Sequence, residues 1–141
     1  MGYRSDRDSL GTVKISADAY YGPFTGRAIK QYHVTGQKPH PYLIKSFVMI
    51  KRSAAVANMK TKALDKKRGN AIVKACDKIL AGKYQDQFVI YMINSGAWTA
   101  FNINTNDFIK SIGRSDVWTP VTSLSRMLTS AWKNKHYTWI T

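Results

Sequence analysis

The residues of this chain best suited to chemistry are few and scattered. His33, His40 and His136 could each bind a metal or move a proton, but they have no metal-ligand spacing with one another or with the lone Cys76. Each reads as a surface or capping residue. Cys76 has no partner for an internal disulfide and no second thiol with which to share a metal, so it reads as a small buried apolar residue. No nucleophile elbow, phosphate-cradling glycine loop or dinucleotide fingerprint occurs. The remaining chemical feature is charge, because 22 Lys and Arg against 8 Asp and Glu give a formal +14. Such an excess attracts anions of several kinds: nucleic acid, a small dicarboxylate, or an acidic patch on another subunit. Its densest part, Lys60, Lys62, Lys66, Lys67 and Arg68, falls around a helix–helix connection without an interleaved aromatic for base stacking. It reads as a solvated basic corner, so nucleic-acid binding is expected to be weak, non-specific and salt-dependent.

The elements that must carry these residues can be read from turn and cap chemistry. Tyr3 to Ala19 reads as irregular with short strands, Val13-Lys14-Ile15 alternating as an extended segment does. Pro23 fixes a turn, and Thr25 is placed to cap a short helix through Arg27, Ala28, Ile29 and Tyr32 that Gly36 ends. Pro41 opens a long helix through Ile44, Phe47, Val48, Ile50, Ala54, Ala55, Ala57 and Asn58, whose small residues permit close packing. Asp65 caps a second helix through Ala71, Ile72, Ala75, Cys76, Ile79 and Leu80, and Gly82 stops it. These two form a helical hairpin. The apolar run Phe88 to Ile93 is short, a further helix is expected over about Asn104 to Ile112, and Pro120 opens a last amphipathic stretch through Leu124, Leu128 and Trp132.

At 141 residues the chain suits one compact core, and 44% hydrophobic with 21% charged residues is a globular composition. The apolar runs are far shorter than the roughly 20 residues a membrane helix needs, and Met1 to Gly11 has no apolar signal-peptide centre. A cytoplasmic protein without a membrane partner is expected.

Several landmarks, in order, resemble one family. Arg4 through Gly11 to Val13, then Ala17-Asp18-Ala19-Tyr20-Tyr21-Gly22 and Thr25-Gly26-Arg27-Ala28, resemble the opening of aspartases and class II fumarases, where a G-x-x-T-x-R-A turn leads into the first helix. Ile50-Lys51-Arg52-Ser53-Ala54-Ala55-Val56-Ala57-Asn58 is similar to that family's K-K-A-A-A-x-A-N helix. Ala75-Cys76-Asp77 and Asp86-Gln87-Phe88 match its A-C-D and D-Q-F landmarks. Gly96-Ala97-Trp98-Thr99 followed by Asn102-Ile103-Asn104-Thr105-Asn106-Asp107 resembles the substrate-loop pattern G-A-G-T-x-x-N-M-N-T-N-E. Each is weak singly, and they are specific in combination.

The resemblance implies a mainly α fold: the N-terminal helical domain of a fumarase/aspartase-like lyase with a short extended N-terminal segment, over residues 1–112, and a divergent helical tail over 113–141. It implies a cofactor-free homotetramer that eliminates ammonia or water to give fumarate, with small dicarboxylates (aspartate, fumarate or malate) as ligands. Such chemistry takes a proton beside a carboxylate and must stabilise an aci-carboxylate. Thr99 is then the first carboxylate contact, through its hydroxyl and neighbouring amides. Arg27 is a second anion contact, Thr25 supports its turn, and Asn102 is a further substrate-binding candidate. Ala97, Tyr20-Tyr21 and Ala75-Cys76-Asp77 favour an aspartate ammonia-lyase, with class II fumarase as the alternative.

Two departures shape the expectation. Trp98 stands where the family has glycine, and a bulky side chain there should block or reshape the pocket. Beyond Ile112 the likeness fades, and no H-P-N-D-H-V-N, S-S-N-D or G-S-S-x-x-P-x-K-x-N segment follows, the last carrying the family's catalytic serine base. The expected protein is thus a truncated aspartate ammonia-lyase-type chain without a catalytic residue, inactive alone and completed by a complementing lyase chain. The other possibilities are a non-catalytic basic binding module derived from that domain and a degenerate fragment.

Overall fold

In the computed structural model, residues 2–96 and 98–116 are described, the last three of these without their side chains. The expected features of Ala97, His136, the stretch opened by Pro120 and the tail tryptophans lie outside those residues.

The N-terminal segment is more regular than its sequence suggests. Strands β1 (Tyr3–Asp8) and β2 (Gly11–Ser16) pair antiparallel, Tyr3 opposite Ser16 and Asp8 opposite Gly11. The Asp8 carboxylate accepts the Leu10 amide inside the turn (2.9 Å), a local bond that favours the reversal. Val13 and Ile15 point inward from β2. Arg4 fastens the hairpin to the following segment: its guanidinium donates to the carbonyls of Ser16, Ala17, Ala19 and Tyr21 at 2.6–3.3 Å. One side chain thereby gathers four carbonyls, of which Ser16 O also accepts the Ala19 amide.

Helix α1 (Pro23–Gln31) corrects the capping expectation. Gly22 is the N-cap and Pro23 takes the first helical position, which leaves Thr25 inside the first turn and fully buried. The helix stops at Gln31 rather than Gly36, with the β-branched pair Val34 and Thr35 following outside it. Gly26 lets the hairpin close on α1, since a Cβ there would lie 2.5 Å from Ile15 Cγ2.

The helical hairpin is as expected. In α2 (Pro41–Lys60) Pro41 is again first, and the His40 ring accepts the Tyr42 amide (3.3 Å), so the capping reading of His40 holds. In α3 (Lys66–Leu80) Asp65 accepts the Arg68 amide at 2.9 Å, and Gly82 at φ +86° ends the element. Gly69 lets the two helices meet: a Cβ there would fall 2.2 Å from Met59 Sδ.

Helix α4 (Thr99–Asp116) begins five residues before the expected start and continues past Ile112. Asn and Thr side chains inside it could compete for backbone groups. Here Thr105 instead donates back to Phe101 O (2.8 Å) and Asn104 donates sideways to Gln87 O (3.3 Å), so the helix survives. Two apolar clusters result. Ile44, Val48, Ala55, Ile72, Ala75, Cys76, Ile79, Phe88, Phe108, Ile109 and Ile112 join α2, α3 and α4. Ala28, Ile90, Ala100 and Phe101 join α1 to the start of α4. Among the described residues no helix is long and apolar enough to cross a membrane.

Candidate substrate-loop site

The chain enters α4 through Ser95, Gly96 and Trp98, and the Trp98 amide donates to Ser95 O at 2.9 Å. Trp98 has φ +55°, a left-handed conformation that costs an L-residue roughly 1–2 kcal/mol and glycine almost nothing. The residue is 41% exposed and its ring leans on Phe101, centroids 5.5 Å apart. The residue that departs from the family pattern therefore occupies backbone that suits the pattern's glycine.

Thr99 is the first residue of α4 and is exposed. The first amides of a helix have no intrahelical acceptor and carry the positive end of the helix dipole, which makes this end suited to a carboxylate. One turn on, Asn102 Oδ1 accepts the ammonium of Lys51. Lys51 is 6% exposed, and burial pulls its pKa down to about 8. The Cys76 thiol nearby is pushed up to about 12 by the same burial and stays protonated, as its reading as a buried apolar residue requires. Buried side-chain oxygens with no hydrogen-bond partner among the described residues are Asn94 Oδ1 and Ser95 Oγ before the helix and Asn104 Oδ1 and Asn106 Oδ1 further along it.

The other two candidates sit elsewhere. Thr25 donates to Asp107 Oδ2 (3.2 Å), which also accepts the Gly22 amide at 3.0 Å. Asp107 thus ties the start of α1 to α4, and its pKa is raised by burial against the opposing effect of those two bonds. Thr25 supports the turn as expected, but through a side chain 82 residues away. Arg27 donates to both Asp8 carboxylate oxygens (3.3 and 3.0 Å) and to Gly11 O (2.9 Å). That pairing holds the Asp8 carboxyl below its ordinary pKa. Among the described residues no hydrogen bond joins Arg27 to Thr25, Thr99 or Asn102. The structure therefore brings Thr99 and Asn102 together at the head of α4 and leaves Thr25 and Arg27 in separate clusters.

Lys51, Asp107 and Asp8 were not singled out by sequence. Lys51 had a legible signal, since Ile44, Val48, Lys51 and Ala55 share one helical face that is buried throughout. Replacing Asp107 with Ala is expected to cost about 1–2 kcal/mol, by stranding the Gly22 amide and the buried Thr25 hydroxyl, whereas Asn keeps an acceptor and loses less. Urea unfolding of the two variants checks this, and equal losses would contradict it.

The described residues form a two-stranded hairpin on a helical bundle, with a polar loop opening α4. A family model described as lyase matches residues 11–131, running on past the point where motif likeness fades. The chain belongs to the aspartase/class II fumarase family of the fumarate lyases and carries its N-terminal helical domain. It is 47% identical over 106 residues to an aspartate ammonia-lyase of a Bacillus species, covering 75% of this chain and 23% of that protein. The Escherichia coli K12 aspartate ammonia-lyase is 41% identical over 113 residues, 78% of this chain and 24% of that one. Among solved structures, a fumarate lyase:delta crystallin from Brucella melitensis matches with a TM-score of 0.79 at 33% identity, over 89% of this chain and 28% of that one. A class II fumarase from Schistosoma mansoni matches with 0.79 at 28% identity, over 86% and 26%. The chain spans about a quarter of the length of these relatives.

Proposed function

We propose that this chain supplies the substrate loop of an aspartate ammonia-lyase-type active site and is inactive until other lyase segments complete it. The observation that carries this reading is the exposed Thr99 at the head of α4, with the buried Lys51 ammonium held by Asn102 one turn behind it. The aspartate ammonia-lyases at 41–47% identity support the substrate class. In this role the Thr99 hydroxyl and the first amides of α4 bind one carboxylate of L-aspartate and help hold the extra negative charge of the aci-carboxylate. Removal of the Cβ proton and loss of ammonia from Cα then give fumarate. The proton acceptor comes from a segment outside the described residues, on a complementing or identical lyase subunit in a cytoplasmic homotetramer. Arg27 is the second anion contact only where a completed assembly draws it from Asp8. In the same frame residues 1–112 carry the lyase landmarks, and the divergence of 113–141 is one of motif only as far as residue 131, where the family match ends. The fumarase alternative differs in the leaving group, water in place of ammonia.

The purified chain is expected to release no fumarate from L-aspartate or L-malate. Mixed with a relative's lyase lacking its own N-terminal quarter, it is expected to restore turnover of aspartate in preference to malate, followed by the ultraviolet absorbance of fumarate. Sustained turnover by the chain alone would refute the need for a completing segment. A mixture that neither assembles nor turns over would refute the substrate-loop role, and a malate preference would move the assignment to fumarase.

A further inference from the structure

The basic corner read from sequence is the start of a longer surface. Lys60 ends α2, Lys62 lies in the turn at φ +60°, and Lys66, Lys67, Asn70 and Lys74 are exposed along the outer face of α3. Residues 66, 70, 74 and 78 follow one another at four-residue steps, about 6 Å apart along the axis, with a lysine at three of the four. The opposite face of α3 packs through Gly69, Ile72, Ala75, Cys76 and Ile79, so the ridge is mounted on a rigid, capped helix. The acids here, Asp65 and Asp77, are each paired with an arginine, at 3.3 Å to Arg68 and 2.7 Å to Arg52. Among the described residues, Lys60, Lys62, Lys66, Lys67 and Lys74 have no ion-pair partner. Their charge is uncompensated among the described residues.

The composition of this surface distinguishes its partner. Protein interfaces are centred on apolar and aromatic side chains and are depleted in lysine. Residues 60–83 contain no aromatic, and every large exposed apolar side chain among the described residues lies outside them. A single strand would want rings on which its bases could stack, and none is present. Phosphates alone need neither anchor nor ring, only closely spaced cations. We propose that the α2–α3 turn and the outer face of α3 dock on the phosphate backbone of a nucleic-acid duplex, without reading its sequence. The affinity is low and falls steeply with salt, since it rests on released counterions.

The test is fluorescence anisotropy of a labelled mixed-sequence DNA duplex titrated with the full chain between about 50 and 200 mM salt. The triple variant K66A/K67A/K74A is compared with K14A/K30A/K45A, which removes the same charge from other surfaces. The α3 triple is expected to weaken binding at least tenfold and to flatten the slope of log affinity against log salt by about 3, while the control triple changes both by much less. Circular dichroism verifies that each variant keeps its helices, and K66Q/K67Q/K74Q replaces the alanine triple if it does not. Equal losses in the two triples would show attraction by net charge alone and overturn the assignment. So would unchanged binding in the α3 triple, sequence-selective binding that persists at high salt, or tighter binding of an acidic peptide than of the duplex.

Discussion

The difference in stability between the wild-type chain and Lys51→Met is expected to change by about 2–3 kcal/mol between pH 7 and pH 10. Lys51 has a folded pKa of about 8 against 10.5 for an ordinary lysine, with desolvation as the chief cause. The fold therefore binds this proton less readily than the unfolded chain does. Below pH 8 both states are protonated, and the fold carries the full cost of a buried charge. As pH rises from 8 towards 10.5 the fold has released the proton while the unfolded chain still holds it, so stability increases with pH. A depression of about 2.5 units is worth roughly 3.4 kcal/mol in full, most of it regained by pH 10. Methionine keeps the volume of the stem and cannot ionise, so the variant lacks this component. It leaves Asn102 Oδ1 without its donor, a cost that does not vary with pH. The Cys76 thiol, held up to about 12 in the fold, ionises earlier in the unfolded chain and so lowers stability as pH rises, but both chains carry it and its contribution drops out of the difference. Urea unfolding at a series of pH values measures the difference, and superimposable profiles for the two chains would show that Lys51 is not held as a buried ammonium.

How a buried lysine escaped notice shows where sequence reading stops. The start at Pro41, the cap at Asp65 and the stop at Gly82 depend on neighbours within four residues, and they are where sequence places them. Lys51 lies in phase with Ile44, Val48 and Ala55, but lysine is so seldom buried that its chemistry argues against its position in the pattern. Partners distant in sequence left no local trace. Nothing near Thr25 points to Asp107, and nothing near Arg27 points to the hairpin turn at Asp8. The early start of α4 was hidden because residues 99–103 follow directly on the glycine-containing loop and read as its continuation. What family likeness supplied was the position of the Thr99 loop. What it could not supply was the state of Trp98, which depends on a backbone torsion.

That torsion carries the last expected result. At φ +55° Trp98 holds a conformation whose strain is of order 1–3 kcal/mol for a bulky residue, and its indole stands between solvent and Phe101 one position before Thr99. Glycine relieves the strain and removes the ring from the mouth of the loop. The isolated chain should show little net change in stability, because the Gly variant also loses the Phe101 contact and gains unfolded-state entropy. Ligand affinity is the better readout, since a ring that must move before a dicarboxylate can approach is a cost paid only on binding. In an assembly completed by the remaining segments of an intact relative, Trp98→Gly is expected to tighten fumarate binding about tenfold, equivalent to roughly 1.4 kcal/mol. Thr99→Val in the same background should cancel the gain, because the carboxylate then loses the hydroxyl that the opened loop exposes. Calorimetric titration of the wild-type chain, Trp98→Gly and Trp98→Gly/Thr99→Val assemblies decides the matter. Equal affinities for the Trp and Gly forms would show that the indole does not obstruct the loop, and a gain that survives Thr99→Val would remove Thr99 from the carboxylate site.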